Sequence, residues 1–203
     1  MDENYTDALE HIKSKSQLQY WTTKRDATPK KYQPSVKKAK DYVVLDFETT
    51  GLRAGADQII QVGAVKYINH ERVEVMNQLV NPNRDISSRI TSLTGITNQS
   101  VRNEPTIHTV IFDLLDFIGD LPIVAHNASF DMGFLYALDP IVKIPRYSVI
   151  DTLKLARKVI HQTPNHKLTT LAQYLKLEHQ AHDALGDCLV TAKIYQHCIH
   201  QSI

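Results

Sequence analysis

The stretch VVLDFETTGL, residues 43–52, decides how this chain is read. Val43, Val44 and Leu45 form a continuous apolar run of the kind that lies buried in a sheet, and Asp46 and Glu48 follow with Phe47 between them. Successive side chains on a strand point to opposite faces, so the two acids share one face while Phe47 turns the other way, into the core. Two carboxylates held side by side raise each other's pKa and oppose folding unless a cation joins them.

Two more short motifs carry matching chemistry. Asp131 lies in VAHNASFDMGFL, residues 124–135, and His182 and Asp187 lie in HDALGDCLVT, residues 182–191. Each places its acid where a strand ends or a helix begins, so one fold can bring all four carboxylates to one spot. Such a cluster implies a metal site. Hard oxygen donors favour Mg²⁺ or Mn²⁺ over zinc, and two divalent ions roughly 3.5–4 Å apart are the usual arrangement for cleaving a phosphodiester. His182 is the candidate general base, because an imidazole with an ordinary pKa of about 6.5 can accept a proton from an attacking water near neutral pH. Asp183 is read as the N-cap of the helix that follows rather than as a fifth ligand. His161, His166, His179, His197 and His200 lack zinc-like spacing and read as surface residues.

Outward from these motifs the periodicity predicts the elements. Strands are expected over 41–47, 58–69 and 72–80, the third alternating like a half-exposed antiparallel partner, so the three form a meander. A short helix over 86–94 should stop at Gly95, and a helix over 106–118 should pack on the sheet. A short buried strand over 122–125, a helix over 129–138, an edge strand over 148–150 and helices from Thr152, Leu168 and Asp183 complete the chain. This order gives an α/β fold: a mixed five-stranded sheet, its first three strands an antiparallel meander, flanked by helices.

Composition fits one catalytic domain with an arm. The 203 residues are 42% hydrophobic and 22% charged, ordinary globular material, and the net charge of +1 hides a division. Residues 1–40 hold nine basic and five acidic side chains, which leaves 14 basic and 17 acidic for residues 41–203. A basic arm ahead of an acidic body suits contact with nucleic acid phosphates, and it equally suits a solvated leader. Cys188 and Cys198, ten residues apart on one helix, are separated by about 15 Å of axial rise and read as free thiols. Neither a signal sequence nor a membrane-length apolar run is expected, which points to a cytoplasmic protein with no membrane partner.

The motifs together resemble those of the DEDDh 3′→5′ exonucleases, the family of the bacterial DNA polymerase III epsilon subunit and of the exonuclease segment of the PolC polymerase. The similarity runs from about Asp41 to His200. A sister subfamily places a tyrosine four residues before its last aspartate, where this chain has Asp183, so the histidine class is favoured. The resemblance implies a ribonuclease-H-like fold, two Mg²⁺ or Mn²⁺ ions held by Asp46, Glu48, Asp131 and Asp187, and release of nucleoside monophosphates from DNA 3′ ends, single-stranded or frayed. It also implies substrate contacts. Thr49, Thr50, Gly51 and the wedge residue Leu52 would meet the strand end, and Leu93 to Thr97, with Ile96 among them, would border the groove. His126 and Asn127 would line the site, against the plainer reading of a loop hydrogen bond. Phe130 and Phe134 read as core residues.

A polymerase or replisome partner is in keeping with the resemblance. The motifs leave a 3′→5′ exoribonuclease or oligonucleotide-trimming enzyme as the alternative within enzymes, since the same site cuts both sugars. A non-catalytic nucleic-acid-binding module is the alternative of another class.

Overall fold

The computed structural model describes residues 31–179 and 181–201; the remainder of the basic arm expected over residues 1–40 lies outside them. The compact unit begins at Tyr32. Its strands are β1 (Gln33–Ser35), β2 (Tyr42–Thr49), β3 (Ile59–Ile68), β4 (Glu71–Leu79), β5 (Ile123–Ala125) and β6 (Ser148–Asp151). Its helices are α1 (Ser88–Thr94), α2 (Asn98–Val101), α3 (Ile107–Ile118), α4 (Ser129–Ala137), α5 (Thr152–Val159), α6 (Leu168–Tyr174) and α7 (Ala184–Gln201).

The strands form one mixed sheet in the order β1-β6-β5-β2-β3-β4. Strands β2, β3 and β4 are the expected antiparallel meander, whereas β5 and β6 join in parallel. The expected five strands are six. Gln33–Ser35, three residues within the stretch read as the arm, pair in parallel with β6, which is therefore an internal strand rather than the expected edge. So short a strand, with Pro34 in its middle, carries no periodicity for a sequence reading to detect.

Each face of the sheet has its own cover. Val43, Leu45 and Phe47 of β2 pack with Ile111 and Leu114 of α3 and Met132 and Leu135 of α4. Tyr42 and Val44 point the other way and pack with Cys188, Ala192 and Tyr195 of α7. The period of two seen in residues 43–48 therefore divides two cores. Cys188 and Cys198 are both buried and free, as expected.

Two local contacts fix the elements that carry the site. Helix α7 lies directly on β3: a Cβ added at Gly63 would sit 2.5 Å from the backbone carbonyl of Ala184. Helix α1 is held by a small core of Ile60, Ile86, Ile96 and Val101, and the Asn98 side chain bridges the backbone of Ile86 through both its oxygen (2.8 Å) and its nitrogen (3.3 Å). Gly95 ends α1 in the left-handed conformation (φ 75°), the stop anticipated from sequence. Among the described residues no helix is long and apolar enough to cross a membrane.

Candidate active site

A cleft of about 460 Å³ opens at the C-terminal end of β2, and Asp46, Glu48, Asp131, His126, Asn127, His182 and Asp187 all line it. Asp46 and Glu48 come from β2 and face the α7 side of the sheet. Strand β5 stops at Ala125, level with Leu45, so beyond that point the edge of β2 has no strand partner. The Phe47 N–H is therefore free to donate to Asp131 Oδ1 at 3.2 Å, which fixes the α4 acid against the strand that carries Asp46 and Glu48.

Asp187 sits in the first turn of α7, where the helix dipole favours an anion. Glu48, His182 and Asp187 each offer a donor atom within 4.8 Å of the others. Oxygen-rich donors at this separation, with Asp46 and Asp131 lining the same cleft, fit a hard divalent cation.

The electrostatics of Asp46, Glu48 and Asp131 agree. Burial, then the charges of Asp131, Asp187 and Glu48, holds the Asp46 carboxyl well above the usual range. Glu48 is pushed up to about 8 by burial and by Asp187, Asp131 and Asp183. Asp131, 2% exposed, is raised to about 7 by burial, against the lowering effect of its bond from Phe47. Carboxyls this perturbed in a cleft identify a candidate functional site, and a bound cation would offset their mutual repulsion.

The segment before α7 holds the remaining parts. His182 is exposed, left-handed (φ 66°), and its backbone N–H donates to Asp187 Oδ2 at 3.4 Å. Asp183 accepts from the Gly186 N–H at 3.0 Å, so the geometry is that of an N-cap. Gln61 ties this start of α7 to the sheet: its amide nitrogen donates to Asp183 (3.1 Å) and Asn77 (2.9 Å), and its oxygen accepts from the Ala184 N–H (3.2 Å).

Several residues stand where the sequence reading did not put them. His179 is no surface residue: its side chain is 5% exposed and its Nε2 lies 2.5 Å from Asp187 Oδ1, so both oxygens of that carboxylate are held from the loop. His166 bonds the Ile160 carbonyl at 2.8 Å, and its own carbonyl accepts from His126 Nε2 at 3.0 Å. The Nδ1 of His126 meets the Thr152 hydroxyl at 2.9 Å, and burial lowers its pKa, so His126 is a neutral, fully bonded wall residue. Both halves of the earlier choice are thus present: it lines the cleft and it makes loop hydrogen bonds.

Ile96, expected on the border of the groove, is 6% exposed and lies in the small core beneath α1 instead. The α1 residues that do line the cleft are Ser87, Arg89, Ile90, Leu93 and Thr94. Thr49 donates its hydroxyl to the Gly51 carbonyl at 2.5 Å and Thr50 accepts from the Gln58 N–H at 3.0 Å, so both hydroxyls serve the turn while their backbone lines the cleft. Leu52 is 83% exposed on the cleft rim. Phe134 is a core residue, as expected, and Phe130 packs against the same core while also lining the cleft.

With the geometry in hand, known proteins place the chain. Residues 43–195 match the exonuclease family model RNase_T. The chain is 43% identical over 155 residues to the PolC-type DNA polymerase III of Bacillus subtilis (strain 168), covering 74% of this chain and 11% of that relative. It is 40% identical over 158 residues to the PolC-type enzyme of Caldanaerobacter subterraneus, again 11% of the relative, so it spans about a tenth of the curated relatives it matches. Among solved structures, exonuclease X in complex with 5′ overhanging duplex DNA superposes with a TM-score of 0.65 at 30% identity, over 79% of this chain and 92% of that one. The nuclease domain of 3′hExo, a DEDDh family member bound to rAMP, matches at 0.68 over 83% and 96% of the two chains, and at 20% identity it shows the shared fold. A mixed sheet flanked by helices, the acid and histidine motifs at one strand end and the match over residues 43–195 make one conclusion: this chain belongs to the RNase_T exonuclease family and is a DEDDh-type exonuclease.

Proposed function

We propose that the protein removes nucleotides one at a time from DNA 3′ ends, with two divalent ions, Mg²⁺ or Mn²⁺, held by Asp46, Glu48, Asp131 and Asp187. The observation that carries this reading is the convergence of Glu48, His182 and Asp187 within 4.8 Å, beside two further carboxylates in one cleft. The ions, when bound, supply an acidified water and offset charge at the leaving oxygen.

The chain's own residues do the rest. The His182 ring takes the proton from the attacking water, and its exposure leaves it free to pass that proton to solvent. The Phe47 N–H and His179 keep Asp131 and Asp187 turned into the cleft. Leu52 and Leu93, 83% and 49% exposed, flank the space for an unpaired terminal base. The duplex-DNA complex of exonuclease X and the PolC relatives support DNA as substrate and a polymerase as partner. The basic arm would add phosphate contacts.

A degradation assay tests this. Single-stranded DNA, mismatched primer-template DNA and matching RNA, each 5′-labelled, are incubated with Mg²⁺, Mn²⁺ or chelator, using wild type and Asp46→Ala. Stepwise shortening of the DNA from its 3′ end, dependent on metal and on Asp46, is expected. Preference for RNA would favour the trimming enzyme, and no shortening of any strand would favour the binding module.

His182→Ala should retain Mn²⁺ affinity in calorimetry while turnover falls on the order of 10²- to 10⁴-fold, the usual contribution of a general base. Metal affinity that drops as far as activity would remove His182 from that role.

A further inference from the structure

We propose that Arg89 grips a backbone phosphate of the strand upstream of the scissile bond, which makes α1 a substrate-tracking element. The inference rests on the nuclease reading above and extends it to a residue outside the motifs. Among the described residues Arg89 is the only Lys or Arg lining the cleft, where it shares the walls with Asp46, Glu48, Asp131 and Asp187. Four carboxylates offset by two divalent ions leave no net charge to attract a polyanion. A strand that continues past the reacting phosphate therefore needs a separate cation, and Arg89 is positioned to supply it.

Helix architecture gives no competing role for this side chain. Arg89 stands in the first turn of α1, at the helix end where a cation is disfavoured, and that turn holds no acidic residue to offset it. Among the described residues no acidic side chain lies within ion-pair distance of Arg89, whereas Arg53, Lys66 and Lys154 each have one. It is exposed, while its neighbour Ile90 packs against the core that pins α1. The guanidinium is thus solvated, unpaired and carried on an anchored helix, with the planar donor fork that suits phosphate oxygens. Leu93, one turn further along α1 and on the same cleft, would lie beside a base of that strand.

The test uses Arg89→Gln in the full chain with two substrates and one binding measurement. Thymidine 5′-p-nitrophenyl phosphate has a single nucleotide and no upstream phosphate, so its hydrolysis should be unchanged. For a single-stranded oligonucleotide, KM should rise about 5- to 10-fold with kcat nearly constant, the size expected for one exposed charge-assisted contact. Fluorescence anisotropy of a labelled strand in Ca²⁺ should show weaker binding, with the slope of log K against log salt reduced by about 0.7, the decrement for one phosphate on a single strand. Arg89→Lys should recover part of the affinity. An unchanged KM and salt slope would overturn the proposal, and so would equal losses on both substrates, which would assign Arg89 to the reacting centre or to folding. Wild-type protein that acts on neither substrate and binds no strand would overturn the nuclease reading and this inference with it.

Discussion

Asp46→Asn should lower turnover by about 10³-fold or more, since a bound ion supplies several kcal/mol of transition-state stabilisation, yet raise the melting temperature of the protein in chelator. The sign follows from the buried acids. Glu48 at about 8 and Asp131 at about 7 keep protons in the folded state that the unfolded chain has already lost near pH 4. Between those limits the unfolded state binds fewer protons, so stability without metal falls as pH rises from about 4.5 to about 8. Holding a carboxyl displaced as far as Glu48 or Asp131 costs on the order of 4 kcal/mol in the ionised form. Asp46, itself held well above the usual range by burial and by Asp131, Asp187 and Glu48, carries a cost of the same kind, which Asp46→Asn removes. Metal held by the ionised carboxylates would flatten or reverse the slope. Thermal melts at pH 5, 6, 7 and 8, in EDTA and in Mn²⁺, would show this. A level profile in EDTA, or an Asp46→Asn protein that melts below wild type there, would contradict the repulsive cluster.

The second large effect is expected far from any charged group. Gly63→Ala should destabilise the fold by about 2–3 kcal/mol, at the upper end for overpacking, because the added carbon would lie 2.5 Å from backbone rather than from a flexible side chain. Helix α7 must then lift from β3 at Ala184, two residues after His182 and three before Asp187. A displacement of roughly 1 Å there is expected to cost about 10²-fold in kcat even in molecules that remain folded. Urea titration with single-turnover kinetics at low temperature separates the two losses. Near-wild-type turnover in Gly63→Ala would show that the helix accommodates the methyl without moving the site.

What could be read from the sequence was whatever a short period or a motif encodes. The alternation at residues 43–48 correctly divides two cores, and the β2–β3–β4 meander and the helices that carry Asp131 and Asp187 lie within a residue or two of their expected bounds. The four acids and His182 meet in one cleft, which motif spacing alone suggested. What escaped depends on contacts between distant segments. Strand β1 is three residues long and is recognisable only once β6 lies beside it. His179 looks like any loop histidine until Asp187 folds back to within 2.5 Å of it, and Gln61 looks like an ordinary strand residue until Asp183 and Ala184 reach it across the sheet. Ile96 shares its motif with groove residues, yet its side chain is buried in the small core under α1, while Arg89 and Leu93 of α1 line the cleft.

The placement of the acids and of His182, the proposed base, sets an order in which function is expected to be lost. Asp46 and Glu48 ride on β2, a central strand paired on both sides near Val43 and Val44, where the amides are expected to exchange slowest. His182 occupies an exposed residue ahead of a helix, in a segment held by side-chain bonds to Asp187 and Gln61 rather than by a strand ladder, and it is expected to open before the sheet does. Breathing of that approach segment would disarm the enzyme while the sheet, with two of its acids, stays intact. Heat or mild urea should therefore extinguish activity before the sheet melts, leaving a folded and reversibly inactive form.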